Sequence, residues 1–227
     1  MQFTVEDKIY RNHGNTDVVA LIDASATNIL DVGCGAGDNA ALLRKRHPHQ
    51  RIYGITGSRE EGELASRHLD GHWVADLEDG LPELEELWFD SILFSHVLEH
   101  LRDPAALLNR LTSRLSPGGS CVIAIPNVLY WRERLEFLKG RFEYQETGTL
   151  DTTHLRFFTY HTATRLLFSK TPNLRVEHVS VTGSVPLWML RRKVLSDRVS
   201  AMIDGWGCAR FPNLFGSQIL IKARATG

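Results

Sequence analysis

Apolar positions along this chain come in two textures. Short runs such as Ile29-Leu30, Ile52-Tyr53-Gly54-Ile55 and Ile92-Leu93-Phe94 are nearly continuous, as strands buried on both faces of a parallel sheet are. Between them, apolar residues recur at helical spacing: Ala105, Leu107, Leu108 and Leu111 share one face of a segment over 104–115. In order, the pattern predicts a helix over 16–24, capped by Thr16 or Asp17 with Val18, Leu21 and Ile22 inward, and then a strand at Asn28–Val32. A helix follows to about His47, where Pro48 stops it. Next come a strand over 51–55, a helix over 59–69 and short strands over 72–74 and Phe89–Ser95. The helix over 104–115, a Pro117-Gly118-Gly119 turn and a fifth strand over 120–125 complete the series. Strands that alternate with helices predict a doubly wound, mostly parallel sheet.

After Pro126 the regularity loosens. Residues 127–139 read as an amphipathic helix, and 140–160 as a polar, aromatic-rich excursion too long for a plain connection, so 127–160 is expected to form a small lid for substrate. A helix over 161–170, an alternating strand over 174–182 and a helix over 187–203 follow. The last of these carries the basic run Arg191-Arg192-Lys193. A final strand over 215–223, read as antiparallel, closes the chain. Residues 1–227 therefore read as one domain, with 1–15 as a polar leading arm.

Composition narrows the function classes. With a net charge of −1, no general attraction to nucleic acid is expected. Cys34, Cys121 and Cys208 are odd in number, widely spaced and without a C-x-x-C pair, which points to free thiols in a reducing compartment. The first residues lack a basic region followed by an apolar stretch, and no apolar run approaches the ~20 residues of a membrane span. A cytoplasmic protein without membrane insertion is the expectation, and a homo-oligomer is compatible with it.

The chemistry starts at Ile29-Leu30-Asp31-Val32-Gly33-Cys34-Gly35-Ala36-Gly37-Asp38. A buried strand closes on an acid, and alternating glycines lead into a helix. A dinucleotide site wants G-x-G-x-x-G, whereas the spacing here is G-x-G-x-G with Asp31 two residues ahead. That carboxylate would repel a pyrophosphate and accept hydrogen bonds from a cationic group. D-V-G-C-G-A-G resembles motif I of class I S-adenosylmethionine (SAM)-dependent methyltransferases. The Val97-Leu98-Glu99-His100 segment after the fourth strand and Pro117-Gly118-Gly119 before the fifth extend the likeness. Residues 148–159 (GTLDTTHLRFFT) and 211–215 (FPNLF) resemble methyltransferases of polysaccharide and other sugar-modifying pathways.

The resemblance implies a Rossmann-like seven-stranded sheet with helices on both faces, and a SAM site lined by Asp31, Gly33, Gly35, Thr56, Asp76, Leu77, Ser95 and His96. Asp31 and the glycines would hold the methionine end, and Asp76 would approach the adenine. Thr56 departs from the family, which usually has an acid at the end of the second strand to hold the ribose; Glu60 or Glu61 could reach in instead. The implied reaction is O-methylation of a sugar or other small-molecule hydroxyl in a biosynthetic pathway.

Such a hydroxyl needs a base, and histidine suits that task near neutral pH. His154, in the excursion, is the first candidate and His96 the second; Arg156 beside His154 could meet an anionic group of the substrate. His96, Glu99 and His100 stand at i, i+3 and i+4. Their pattern is similar to the E-x-x-E-H metal site of small-RNA 2′-O-methyltransferases and ubiquinone-pathway enzymes, with His96 in place of the first Glu. That likeness implies a divalent metal on Glu99, His100 and His154, for an RNA or quinone-type acceptor. Two other readings remain open: a non-catalytic SAM-binding partner subunit and, on a similar sheet, a dehydrogenase.

Overall fold

The computed structural model describes residues 13–226 apart from Glu85, and leaves the side chain of Arg192 undescribed. The arm expected over 1–15 therefore lies almost wholly outside the described residues. The chain forms β1 (Asn28–Val32), β2 (Arg51–Thr56), β3 (Gly71–Val74), β4 (Phe89–Ser95), β5 (Leu115–Pro126), β6 (Leu174–Gly183) and β7 (Gly216–Ala225). They make one sheet in the order β3-β2-β1-β4-β5-β7-β6. The first five run parallel, and β7 lies antiparallel between β5 and β6. This is the Rossmann-like, mostly parallel sheet that the alternating pattern predicts.

Helices α1 (Thr16–Val19) and α2 (Asp38–Arg46) cover one face, where Val18, Val19, Ala40 and Leu43 pack on Ile29, Ile52, Leu93 and Val122. The helices α3 (Arg59–Ala65), α4 (Pro104–Thr112), α5 (Trp131–Leu138) and α6 (Ala163–Leu167) follow in the chain. From α4 and α6, Leu107, Leu108, Leu111 and Leu167 pack on Leu30, Phe94, Ile123 and Ile221 of the other face. Each such fully buried side chain contributes about 1.5–3 kcal/mol of transfer free energy. Alternation along β1 sends Ile29 to the first face and Leu30 to the second, which puts Asp31 on the α2 side.

Several boundaries differ from expectation for identifiable reasons. The α1 cap is Asn15, whose side chain accepts from the Val18 amide, and the helix stops at Val19. The glycines of Pro117-Gly118-Gly119 lie within β5, as a bulge where pairing with β4 shifts register between Phe89 and Ser91. The helix read over 127–139 starts only at Trp131, because the buried Asn127 side chain donates to Gly216 O at 2.8 Å and turns the chain. The helix read over 187–203 is two, α7 (Trp188–Val194) and α8 (Asp197–Arg210), since Ser196 caps α8 through the Val199 amide. A short α9 (Pro212–Phe215) takes Phe215 out of the last strand.

Candidate active site

The carboxyl ends of β1, β4 and β5 meet where a ligand crevice is expected in such sheets. At the end of β1 the chain turns through Gly33, Gly35 and Gly37, all at positive φ (69°, 51° and 87°). At Gly33 any side chain would also overlap Val97. Asp31, at the mouth of this turn, is fully buried, and among the described residues neither carboxylate oxygen has a partner in hydrogen-bond geometry, the Asn39 amide being near but not aligned. Burial lifts its pKa to about 7, the Asp38 charge adds to the rise, and the nearby Asn39 amide opposes it. An orphaned, desolvated carboxylate under a glycine cradle fits a ligand that brings a cation and close-packed atoms.

The neighbouring strand ends are built differently. Thr56 closes β2 with its hydroxyl committed, donating to Glu61 Oε2 at 2.8 Å. Glu61 stands in the first turn of α3 and is itself buried. The end of β2 thus carries no acid of its own, and the nearest buried carboxylate bonded to it comes from the following helix. Asp76 is exposed, and its Oδ1 accepts from the Glu78 amide at 2.9 Å. Leu77 packs at the edge of the core and Ser95 is half-buried at the end of β4.

Beyond Ser95 the backbone enters the left-handed region at His96 (φ 56°), an uncommon conformation for a side chain of this size. The 3-10 turn Leu98–His100 follows. His96 Nδ1 lies 3.2 Å from Glu99 Oε1, and its Nε2 lies 3.2 Å from Gln218 Oε1. Both ring nitrogens therefore face acceptors, which favours the imidazolium. Desolvation would lower the His96 pKa, but the Glu99 hydrogen bond and charge, with Gln218, hold it above the usual value.

Glu99 is fully buried. Burial would raise its pKa, but the hydrogen bond and charge of His96 and the charge of His100 hold it below the ordinary carboxylate range. Its second oxygen, Oε2, has no hydrogen-bond partner among the described residues. The Glu99 carbonyl accepts from the Leu155 and Arg156 amides, at 2.9 and 3.0 Å, and so pulls the 154–156 stretch onto the end of β4. This places His154 Nε2 4.0 Å from Glu99 Oε1 and the His154 ring 4.7 Å from that of His100.

Second contacts fix both rings. His154 Nδ1 lies 2.9 Å from Thr149 O, which can only accept, so that nitrogen carries the proton. Thr153 Oγ1 donates to Asp151 Oδ1 at 2.7 Å and so accepts from His100 Nδ1 at 2.9 Å. In each ring Nδ1 is thereby engaged, which leaves Nε2 as the ring nitrogen outside these two bonds. Desolvation foremost lowers the His100 pKa, with the His154 charge adding and the Glu99 charge opposing. Ligand atoms of Glu99, His100 and His154 all lie within 4.8 Å of one another. Arg156 turns away and donates from Nε to Arg102 O at 3.0 Å.

Comparison with known proteins settles the family. The model of a methyltransferase domain matches residues 6–179. The chain belongs to the methyltransferase domain family. It is 34% identical over 119 residues to a trans-aconitate 2-methyltransferase of Azoarcus sp. (strain BH72), covering 51% of this chain and 46% of that one. It is 30% identical over 103 residues to a ubiquinone/menaquinone biosynthesis C-methyltransferase of Desulfotalea psychrophila, covering 44% and 42%. The chain thus spans less than half the length of these curated relatives. In fold it is similar to a putative methyltransferase solved in complex with the Haloferax volcanii Trm112 methyltransferase activator (TM-score 0.63, 17% identity, 95% of this chain and 90% of that one).

SAM is the cofactor of this methyltransferase domain, and the site fits it. SAM carries an ammonium suited to the orphaned Asp31, and the glycine turn leaves room for close approach of its methionine end. Of the residues expected from sequence, Asp31, Gly33 and Gly35 form one continuous cradle, while His96, Glu99, His100 and His154 form one cluster. Two contributors gave no sequence signal. Gln218 reaches His96 only because β7 is inserted beside β5, and Thr153 acts through a local hydrogen bond.

Proposed function

We propose that this chain O-methylates a hydroxyl of a small molecule, with sugar-containing acceptors as the first class to test. One observation carries the reading: His154 is buried, its proton is held on Nδ1 by Thr149 O, and its Nε2 stands near the Glu99 carboxylate. Bound SAM supplies a methyl group already activated on a sulfonium. The protein must still align the acceptor, exclude water and remove the hydroxyl proton.

In this reading Asp31 holds the SAM ammonium, Glu61 in its bond with Thr56 offers a carboxylate toward the ribose, and Asp76 with Leu77 and Ser95 borders the adenine side. His154 accepts the acceptor's proton at Nε2, and the Glu99 carboxylate stabilises the resulting imidazolium. His96 suits this less well, since both of its nitrogens already face acceptors.

Residues 127–160 serve as the substrate-facing lid. There Phe142 stacks on Phe137 at 5.4 Å and meets Tyr144 and Phe157 edge-on, with Phe142 and Tyr144 exposed, a surface suited to the C–H face of a sugar ring. The relatives' names, which specify trans-aconitate and ubiquinone/menaquinone, support a small-molecule acceptor and leave its class open. The reaction belongs in the cytoplasm in this reading, which the three buried free cysteines support.

The test is turnover on a panel of sugars and nucleotide sugars, followed by release of S-adenosylhomocysteine. His154→Asn keeps a donor for Thr149 O and should lower kcat about 10²–10⁴-fold with SAM affinity unchanged. Undiminished turnover removes His154 from the chemistry. SAM binding with no turnover on any acceptor favours the partner-subunit reading.

A second reading is favoured by the orphaned Glu99 Oε2 and the fixed ring tautomers. Glu99, His100 and His154 would hold a divalent metal, with Thr149 and Asp151–Thr153 as outer supports. The metal would supply Lewis acidity that lowers the pKa of an acceptor hydroxyl. Quinone-type or RNA acceptors belong to this version.

A further inference from the structure

We propose that α7 and α8 dock this protein peripherally on an anionic membrane surface. Among the described residues, both helices leave apolar side chains exposed at helical spacing. On α7 and its N-cap these are Leu187, Leu190 and Val194, exposed by 68, 57 and 76%. On α8 they are Val199, Met202 and Trp206, exposed by 43, 66 and 66%. Each set runs i, i+3, i+7, the spacing that normally faces a core. Met189 is similarly exposed, and Phe211 continues the α8 stripe, its ring 6.3 Å from Trp206. Scattered exposed apolar residues need no explanation, but exposed stripes on two helices in contact do.

Arg191 ties the two helices together. Arg191 Nη2 donates to Asp204 Oδ1 at 2.6 Å and to Val185 O at 2.8 Å, and its Nη1 donates to Ser200 O at 3.2 Å. The stripes therefore belong to a pinned helical pair. Leu187, moreover, is held in the left-handed region (φ 64°) while 68% exposed, so local strain is accepted without any burial in return.

Charge selects the occupant. Residues 187–211 contain five basic residues (Arg191, Arg192, Lys193, Arg198, Arg210) and two acids (Asp197, Asp204), in a chain whose net charge is −1. Lys193, Arg198 and Arg210 are exposed, flanking the apolar stripes. A second copy of this chain would bring this basic surface against itself in a two-fold interface. Leu, Met and Trp set among Lys and Arg instead match a helix lying in a headgroup layer, where each cation near an anionic surface contributes about 1 kcal/mol. No described helix is long and apolar enough to cross a membrane, so the contact is one of lying on the surface.

The experiment is co-sedimentation of the full chain with phosphatidylcholine vesicles, with and without 30% phosphatidylglycerol (roughly one lipid in three, a choice made on the charge argument). Binding to the anionic vesicles only, weakened at least ~10-fold in high salt, is expected. Leu190→Glu and Trp206→Glu, at exposed positions, should each reduce partitioning ~10-fold or more, and Lys193→Glu with Arg198→Glu should do the same. Circular dichroism and SAM binding check that the variants fold. Absence of wild-type binding to anionic vesicles overturns the proposal without needing any variant. Light scattering that shows a dimer lost in Trp206→Glu, without vesicle binding, would assign the face to a second copy and also overturn it.

Discussion

Replacing Asp31 with asparagine separates what the buried carboxylate costs the ligand-free protein from what it contributes to SAM binding. In the folded chain its pKa is raised from 3.8 to about 7, chiefly by burial. At 1.36 kcal/mol per unit, holding that charge above pH 7 costs up to roughly 4 kcal/mol. Because the folded pKa lies above the unfolded one, the favourable contribution of the neutral form is fully present below about pH 4. It is lost as pH rises to about 7. Asparagine has nearly the same shape and stays neutral throughout. The ligand-free variant should therefore be more stable than wild type at pH 8, and the margin should shrink towards pH 4. A gain of about 2–4 kcal/mol corresponds to a Tm rise of roughly 5–10 °C for a chain of this size.

Binding should move the other way. The ammonium of SAM favours the carboxylate, and loss of a charge-assisted bond at a buried site costs about 1.5–3 kcal/mol, a roughly 10–150-fold weaker Kd. Wild-type affinity should itself weaken close to tenfold (~1.4 kcal/mol) between pH 7.5 and 6, as protonation of Asp31 competes with the ammonium. The variant should be flat over that range. Scanning calorimetry of the ligand-free proteins and titration calorimetry with SAM read both effects. A variant less stable than wild type at pH 8, or a pH-independent wild-type affinity, would refute the account of Asp31 as a strained, cation-seeking carboxylate.

Gly33→Val should abolish SAM binding and destabilise the fold by at least ~2 kcal/mol, since a β-branched residue there combines a positive φ with overlap at Val97; retained micromolar binding in calorimetry would contradict the cradle. Glu61→Gln preserves an acceptor for the Thr56 hydroxyl but removes the charge, and should weaken SAM about tenfold with little change in Tm. An unchanged Kd would leave the ribose without an acidic partner from α3. If a metal takes part, a chelator should stop turnover, Mg²⁺, Mn²⁺ or Zn²⁺ should restore it, and His100→Ala should remove metal binding measured directly by calorimetry. Chelator-insensitive turnover would leave the trio as base and stabiliser only.

Much of this architecture is visible in the sequence because it rests on local rules. Ile29-Leu30, Ile92-Leu93-Phe94 and the period of α4 each specify an element and its buried face without distant partners. Asp31 and the glycines are legible for the same reason, lying within one strand–turn–helix unit. The boundaries that moved after Pro126 were set by single side-chain hydrogen bonds, from Asn127 and Ser196, which interrupt the helical run and leave the apolar period intact, while Asn15 moves the start of α1 by one residue. The acid opposite Thr56 was ambiguous because two glutamates stand together in the first turn of α3, and only the fold shows Glu61 turned inward.

The histidine cluster shows where local reading ends. Spacing alone groups His96, Glu99 and His100 as equivalents on one turn, yet His96, with its left-handed backbone, bridges Glu99 on one side to Gln218 of β7 on the other. The Gln218 contact depends on β7 inserting between β5 and β6. His154 takes the place His96 would have held, drawn in by two amides on the Glu99 carbonyl, with its proton on the far nitrogen. His96 sits on the sheet side against Gln218, and His154 sits beside His100 on the side of residues 148–156, with the buried Glu99 between them. For the proposed reaction on a hydroxyl that arrangement favours His154, because a histidine whose two ring nitrogens already face acceptors is poorly placed to take up the acceptor's proton.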